Sequence, residues 1–262
     1  MTALAVSIHL AFAGAIPATA QSATEPEKPK AAAADHGRRT VRRLPANLGR
    51  GILGVFYRDS VIPFVIGGVA TGGASVLDQE FRARINPDPN RGWGKAIGTA
   101  SGPVWGGVFV ASLFATGRIS GNERFRAASY DVVDAAAVNV VYFQSLKLIV
   151  QRQRPNGTNH QSFPSGHTSN AFALATVAER HYGWKVGVPA YVIAGAVGAA
   201  RMKQDMHYFS DVIAGATLGY IVGRTVVRVN SKPIAGASGG AVFSMSPIVA
   251  RAARGLQVSV NF

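Results

Sequence analysis

Four runs decide how this chain reads: Lys147-Leu-Ile-Val-Gln-Arg-Gln-Arg154-Pro155, Phe163-Pro164-Ser165-Gly166-His167-Thr168, Ala200-Arg201, and His207-Tyr-Phe-Ser-Asp211. They set Lys147, Arg154 and Arg201 with two histidines, a serine and one carboxylate between apolar stretches. A charge in such surroundings is costly without a partner. The partner that the sequence lacks is an anion.

Each run has a geometric reading. Lys147 and Arg154 lie two helical turns apart, so the spacing predicts that both project from one helix face, roughly 10 Å apart along the axis. Pro155 ends that helix. Ser165, Gly166 and His167 precede a helical run over 168–178, which sets them at a helix N-terminus where free N–H groups bind phosphate oxygens and Gly166 lets the backbone approach. Arg201 offers a planar fork to two oxygens. His207 and Asp211 stand at i and i+4, so the carboxylate is expected to hold the imidazole and fix which nitrogen is free. Singly, each residue has a plainer account: a snorkelling lysine, a structural histidine, or an aspartate favoured in a first helical turn. Together they describe an oxyanion site with two histidines available for chemistry. His9, His36, His160 and His181 have no such pattern, although His160 is close enough to line an entrance.

The three-part pattern resembles the signature of the type 2 phosphatidic acid phosphatase superfamily, which also contains bacterial acid phosphatases and vanadium haloperoxidases. Lys147 to Pro155 matches the first part, Pro164 to His167 the second, and Arg201, His207 and Asp211 the third, the whole covering about residues 130–225. The chain departs from the pattern at Ala200, where the family usually has serine, and in a short linker between the first two parts. The resemblance implies that His207 attacks phosphorus to form a phosphohistidine, supported by Asp211. It implies that His167 serves as acid and then base, and that Lys147, Arg154, Ser165, Gly166 and Arg201 hold the phosphate. It calls for no metal or other cofactor. The expected substrate is a lipid phosphate or diphosphate, or a small phosphate ester. Two rivals stay open: a vanadium-dependent haloperoxidase on the same residues, and a phosphate- or lipid-binding membrane protein without catalysis.

The formal net charge of +14 fits anionic membrane surfaces and phosphorylated substrates better than nucleic acid, for which there is no motif. Cysteine is absent, which excludes disulfides and thiol chemistry. Residues 1–20 resemble a signal peptide, with an apolar core from Leu4 to Ala13 and the small-x-small site Ala18-Thr19-Ala20. No basic residue precedes that core, so an uncleaved anchor is the alternative. Cleavage implies an exported, envelope-associated protein with its site outside the cytoplasm. Residues 21–50 read as a disordered basic linker, solvated or laid on anionic headgroups.

The fold expected is all-α, a bundle of about six helices (61–78, 95–117, 128–153, 166–182, 186–200 and 208–228) within a domain over 51–230. Ile97 to Gly117 is long enough to span a bilayer, and the pairs Gly68/Gly72 and Gly102/Gly106 permit close helix contact. Mean hydropathy of +0.16 leaves integral and peripheral association both open. Residues 231–262 read as a Gly/Ser linker and a short C-terminal β-hairpin, on the period-two alternation of Leu256, Val258, Val260 and Phe262.

Overall fold

The computed structural model describes residues 37–85, 87–88, 92–232, 242–250 and 253–261. The expected leader and most of the linker lie outside them. Among the described residues the body is helical: α1 (Leu44–Gly54), α2 (Val61–Val76), α3 (Asp78–Ile85), α4 (Gly92–Ala100), α5 (Pro103–Ile119), α6 (Glu123–Val150), α7 (Gly166–Tyr182), α8 (Trp184–Lys203) and α9 (Phe209–Asn230). The helical class is as expected, but the count is higher, for three local reasons. Leu44–Arg50, read as linker, forms most of α1, tied down where buried Asn47 donates to the Tyr130 hydroxyl at 2.8 Å. The single span expected from 97 to 117 breaks at Ser101-Gly102 before Pro103, and α4 and α5 meet at 48°. Asp78 starts the separate short helix α3, whose Phe81 ring stacks on Phe209 at 4.1 Å.

α6, α7, α8 and α9 alternate in direction, so the three parts of the signature meet at one end of the bundle. The seam that fixes this end is α7 against α9. A Cβ on Gly215, Gly219 or Gly223 would come within 2.6, 2.1 and 2.6 Å of the carbonyl oxygens of Ser165, Ser169 and Ala173. These glycines, four residues apart, let α9 lie directly on the backbone of α7. The pair Gly68/Gly72 plays no such part, since both face open space. Val138 of α6, Val177 of α7 and Leu218, Ile221, Val222 and Val226 of α9 form the apolar core beside the seam.

The opposite end holds a second buried polar cluster. Arg39 grips Asp131 through two nitrogens at 3.0 and 2.9 Å, His181 Nε2 lies 2.8 Å from the same carboxylate, and Asn230 donates to Asp131 and Asp134 at 2.9 and 2.8 Å. His181 therefore has a partner that its sequence context did not reveal.

Three of the described helical segments are long and apolar enough to cross a membrane: Arg58–Val76, Glu123–Val150 and Phe209–Asn230. The bent pair α4–α5 makes a fourth if taken as one span. Ile62, Ile66 and Val69 of α2, Val104 and Phe109 of α5, and Leu148 and Ile149 of α6 point outward, uncovered by protein. Beyond the body, the backbone of Val242–Ala250 pairs antiparallel with Ala253–Asn261.

Candidate active site

Lys147 is the last cation of α6, buried, with its ammonium donating to the carbonyl of Gln161. Arg154 does not share its helix, contrary to the two-turn spacing. α6 stops at Val150 because Gln151 takes the left-handed conformation (φ 47°), and Pro155 disfavours helical geometry for the residue before it. The following loop instead hooks back on itself, Arg154 N–H donating to Asn159 O at 2.9 Å and Asn156 N–H to Asp205 O at 3.2 Å. That fold-back returns the Arg154 guanidinium to Met206, one residue before His207.

At the start of α7 the amides are divided between structure and site. Ser165 N–H is committed to the Asp211 carbonyl at 3.0 Å, and its hydroxyl meets Thr168 Oγ1 at 2.9 Å. Gly166 is required by packing as much as by any ligand, since a Cβ there would press to 3.1 Å on the Phe143 ring. His167 follows in the first turn. On α8, buried Arg201 is held by the side-chain oxygen of Gln204, and Ala200 beside it has no hydroxyl to offer.

His207 is buried just before α9, and its Nδ1 lies 2.6 Å from the backbone carbonyl of Ser162. A carbonyl only accepts, so Nδ1 carries the proton and Nε2 keeps its lone pair. The expected direct contact with Asp211 is not made: Asp211 Oδ2 stands 3.9 Å from Nδ1. That carboxylate instead accepts from Ser162 Oγ at 2.5 Å, Tyr208 N–H at 2.9 Å and, on its other oxygen, Arg152 at 2.8 Å. Arg152 also reaches Asp78 at 2.8 Å, and Asp78 accepts from the amide and hydroxyl of Ser210 at 2.8 and 2.7 Å. Sequence reasoning missed Arg152, Ser162, Asp78 and Gln204. Only Arg152, lying between Lys147 and Arg154, offered a signal.

The electrostatics show what is gathered. Burial, then Arg201, Arg154 and Lys147, depress His167 to about 4, and burial with the same three cations holds His207 well below the ordinary histidine range. Burial and then Arg154 lower Arg201 to about 10. Among the described residues none of the three cations forms an ion pair, and Nε of both Arg154 and Arg201 is buried without a hydrogen-bond partner. His160 is exposed on the loop beside the site.

Known proteins share sequence with this part of the chain. Residues 131–234 match the model of the PAP2 superfamily. A lipid A 1-phosphatase of Porphyromonas gingivalis is 43% identical over 75 residues, 28% of this chain and 17% of the relative's own length. Among solved structures, the Aquifex aeolicus LpxE is similar with 23% identity and a TM-score of 0.48, over 58% of this chain and 95% of that one. A Bacillus subtilis PAP2-type phosphatidylglycerolphosphate phosphatase follows with 17% identity and a TM-score of 0.44, over 70% and 92%.

Proposed function

We propose that this protein is a membrane-embedded phosphatase that hydrolyses a lipid phosphate or diphosphate through a phosphohistidine. The observation that carries it is the unpaired cationic cradle of Lys147, Arg154 and Arg201 around two neutral histidines. His207 Nε2 attacks phosphorus as the P–O bond to the alcohol breaks, giving an N–P bond. The cations and the free amides of α7 stabilise charge on the equatorial oxygens. A phosphate seated among the cations offsets their effect on His167, which then takes up the proton it gives to the leaving alkoxide. In the second step His167 removes a proton from water, whose oxygen attacks phosphorus and breaks the N–P bond.

An open surface hollow of about 630 Å³ beside α4, lined by Gly92, Lys95, Ala96, Thr99, Ala100 and Trp105, is available to an acyl chain. The opposite edge of α4, at Gly98, rests on Gln204, the residue that holds Arg201. The 43%-identical relative is named a lipid A 1-phosphatase, so lipid A leads the substrate classes to be tried. The basic cluster at the far end supports one orientation, although Arg82, Lys203 and Arg152 stand near the site. Arg38, Arg42, Arg43, Arg118, Arg126 and Lys232 crowd the end away from the site, and membrane proteins retain such residues in the cytoplasm. The site then faces outward.

Phosphate release from lipid A, phosphatidate, undecaprenyl diphosphate and small soluble esters tests the reading. Preference for one lipid class is expected; no release from any of them, or halide oxidation on adding vanadate, overturns it. Orientation is tested on a chain free of cysteine. Thr158→Cys beside the site should react with an impermeant maleimide in intact cells and Gly121→Cys at the far end should not. The reverse pattern inverts the topology.

A further inference from the structure

The carboxylate nearest the proposed nucleophile does not touch it, and one residue stands between the two. Ser162 accepts the Nδ1 proton of His207 on its backbone oxygen at 2.6 Å and donates its hydroxyl to Asp211 at 2.5 Å. Ser162, Asp211 and His207 are all buried, so no water competes for these bonds. Ser162 is itself pinned, its N–H donating to Arg152 O at 2.9 Å, while the Arg152 guanidinium bridges Asp211 and Asp78. We infer that Ser162 is a positioning residue that links Asp211 to His207 through its own peptide, with Arg152 and Asp78 bracing the far side of the carboxylate.

The arrangement has a chemical consequence. As His207 Nε2 bonds to phosphorus, the ring becomes cationic and Nδ1–H a stronger donor. The Ser162 carbonyl receives that increase, and the same residue's hydroxyl, fixed on an anionic oxygen, keeps the carbonyl aimed. Removing the hydroxyl leaves the carbonyl in place but frees its peptide to turn. The loss therefore falls on the rate of attack and not on substrate binding, which belongs to the cations.

The inference rests on the phosphohistidine reading, and rapid-quench trapping of acid-labile label from radiolabelled phosphate ester separates the two. Wild-type enzyme that turns over without labelling His207 sinks the reading and the linkage with it. If wild type is labelled, Ser162→Ala should form the label about 10–100-fold more slowly, at full amplitude and with KM within about twofold. Ser162→Thr, which restores a hydroxyl, should recover most of the rate. A rate unchanged in Ser162→Ala, or a reduced amplitude at the wild-type rate, overturns the linkage alone, the second because it reports a misfolded fraction. Where Ser162→Ala does not fold, Arg152→Gln serves, on a side chain 30% exposed. It should slow labelling about 3–10-fold at full amplitude, and an unchanged rate there also refutes the linkage.

Discussion

The two ends of the helical bundle use the same residue types for opposite purposes. At one end Arg39, Asp131, His181 and Asn230 are closed on each other, with Arg39 and Asp131 fully buried and bonded through two nitrogens. At the other, Lys147, Arg154 and Arg201 face two histidines, and the carboxylate of Asp211 is taken by Arg152. A buried charge that is matched holds structure together; a buried surplus of one sign waits for a ligand. Similar residue types stand at the two ends, and ion pairing of the cations is what separates scaffold from site.

The sharpest way to break this contrast is at the histidines. His207→Ala should bring turnover with every phosphate ester to background, while His181→Ala should leave the turnover of the folded fraction intact. Substantial hydrolysis by His207→Ala would show that the nucleophile lies elsewhere. His167→Ala should lose about 10²–10⁴-fold on alkyl phosphates and far less on p-nitrophenyl phosphate, whose leaving group needs no proton. Equal losses on the two would remove the acid role.

Stability should answer in reverse. Arg39→Ala leaves Asp131 buried without its main cation and should destabilise by about 3–5 kcal/mol. Lys147→Met removes surplus positive charge and should leave the melting temperature unchanged or raised, with activity lost. Thermal unfolding in detergent, monitored beside turnover, checks both.

Proton uptake offers a subtler measure of the surplus. Burial and then the cations hold His167 at about 4, and a bound oxyanion offsets the cations, so its affinity for a proton should rise on binding. Sulfate, which does not titrate in this range, should bind with proton uptake at about pH 5.5 and with almost none above about pH 8. The uptake should vanish in His167→Ala. Calorimetry in buffers of different ionisation enthalpy reads it directly. The smallest effect belongs to Ala200→Ser: Gln204 already holds Arg201, so the added hydroxyl should change transition-state stabilisation by no more than ~0.5–1.5 kcal/mol. A gain of several orders of magnitude would mean that Gln204 is a poor substitute.

Much of the site was legible in sequence because its residues lie in runs whose spacing is set by chain chemistry. Lys147, Ser165, Gly166, His167, Arg201 and His207 were singled out from those runs as candidates, and they lie at one end of the bundle. What was not legible depends on how loops close. Arg154 reaches the site by a fold-back and not by helical repeat, and the four-residue spacing of His207 and Asp211 says nothing of Ser162 arriving from a different segment. Arg39 and Asp131 are separated by most of a bundle in sequence, so no local pattern signals that pair. In the fold, period and composition found the long helices, but Ser101-Gly102-Pro103 needed to be read as a break. The glycines that matter were those facing a neighbour's carbonyls, a property of packing that the small-xxx-small pattern alone does not specify.

The contact of Gly215, Gly219 and Gly223 with the α7 backbone also bears on how the protein meets bilayers of different thickness. Where a helix pair meets at glycines, backbone against backbone, its closest contact has little to compress, and a screw of one residue would drive Ala214, Leu218 or Val222 into those carbonyls. On the membrane-embedded reading, hydrophobic mismatch would be met by tilting α9 together with α7, with distortion left to looser elements such as the α4–α5 bend. Turnover on a soluble ester should stay nearly constant as acyl length is varied in reconstituted vesicles, because the distance between His167 and His207 is carried by the pair and not by the surrounding lipid.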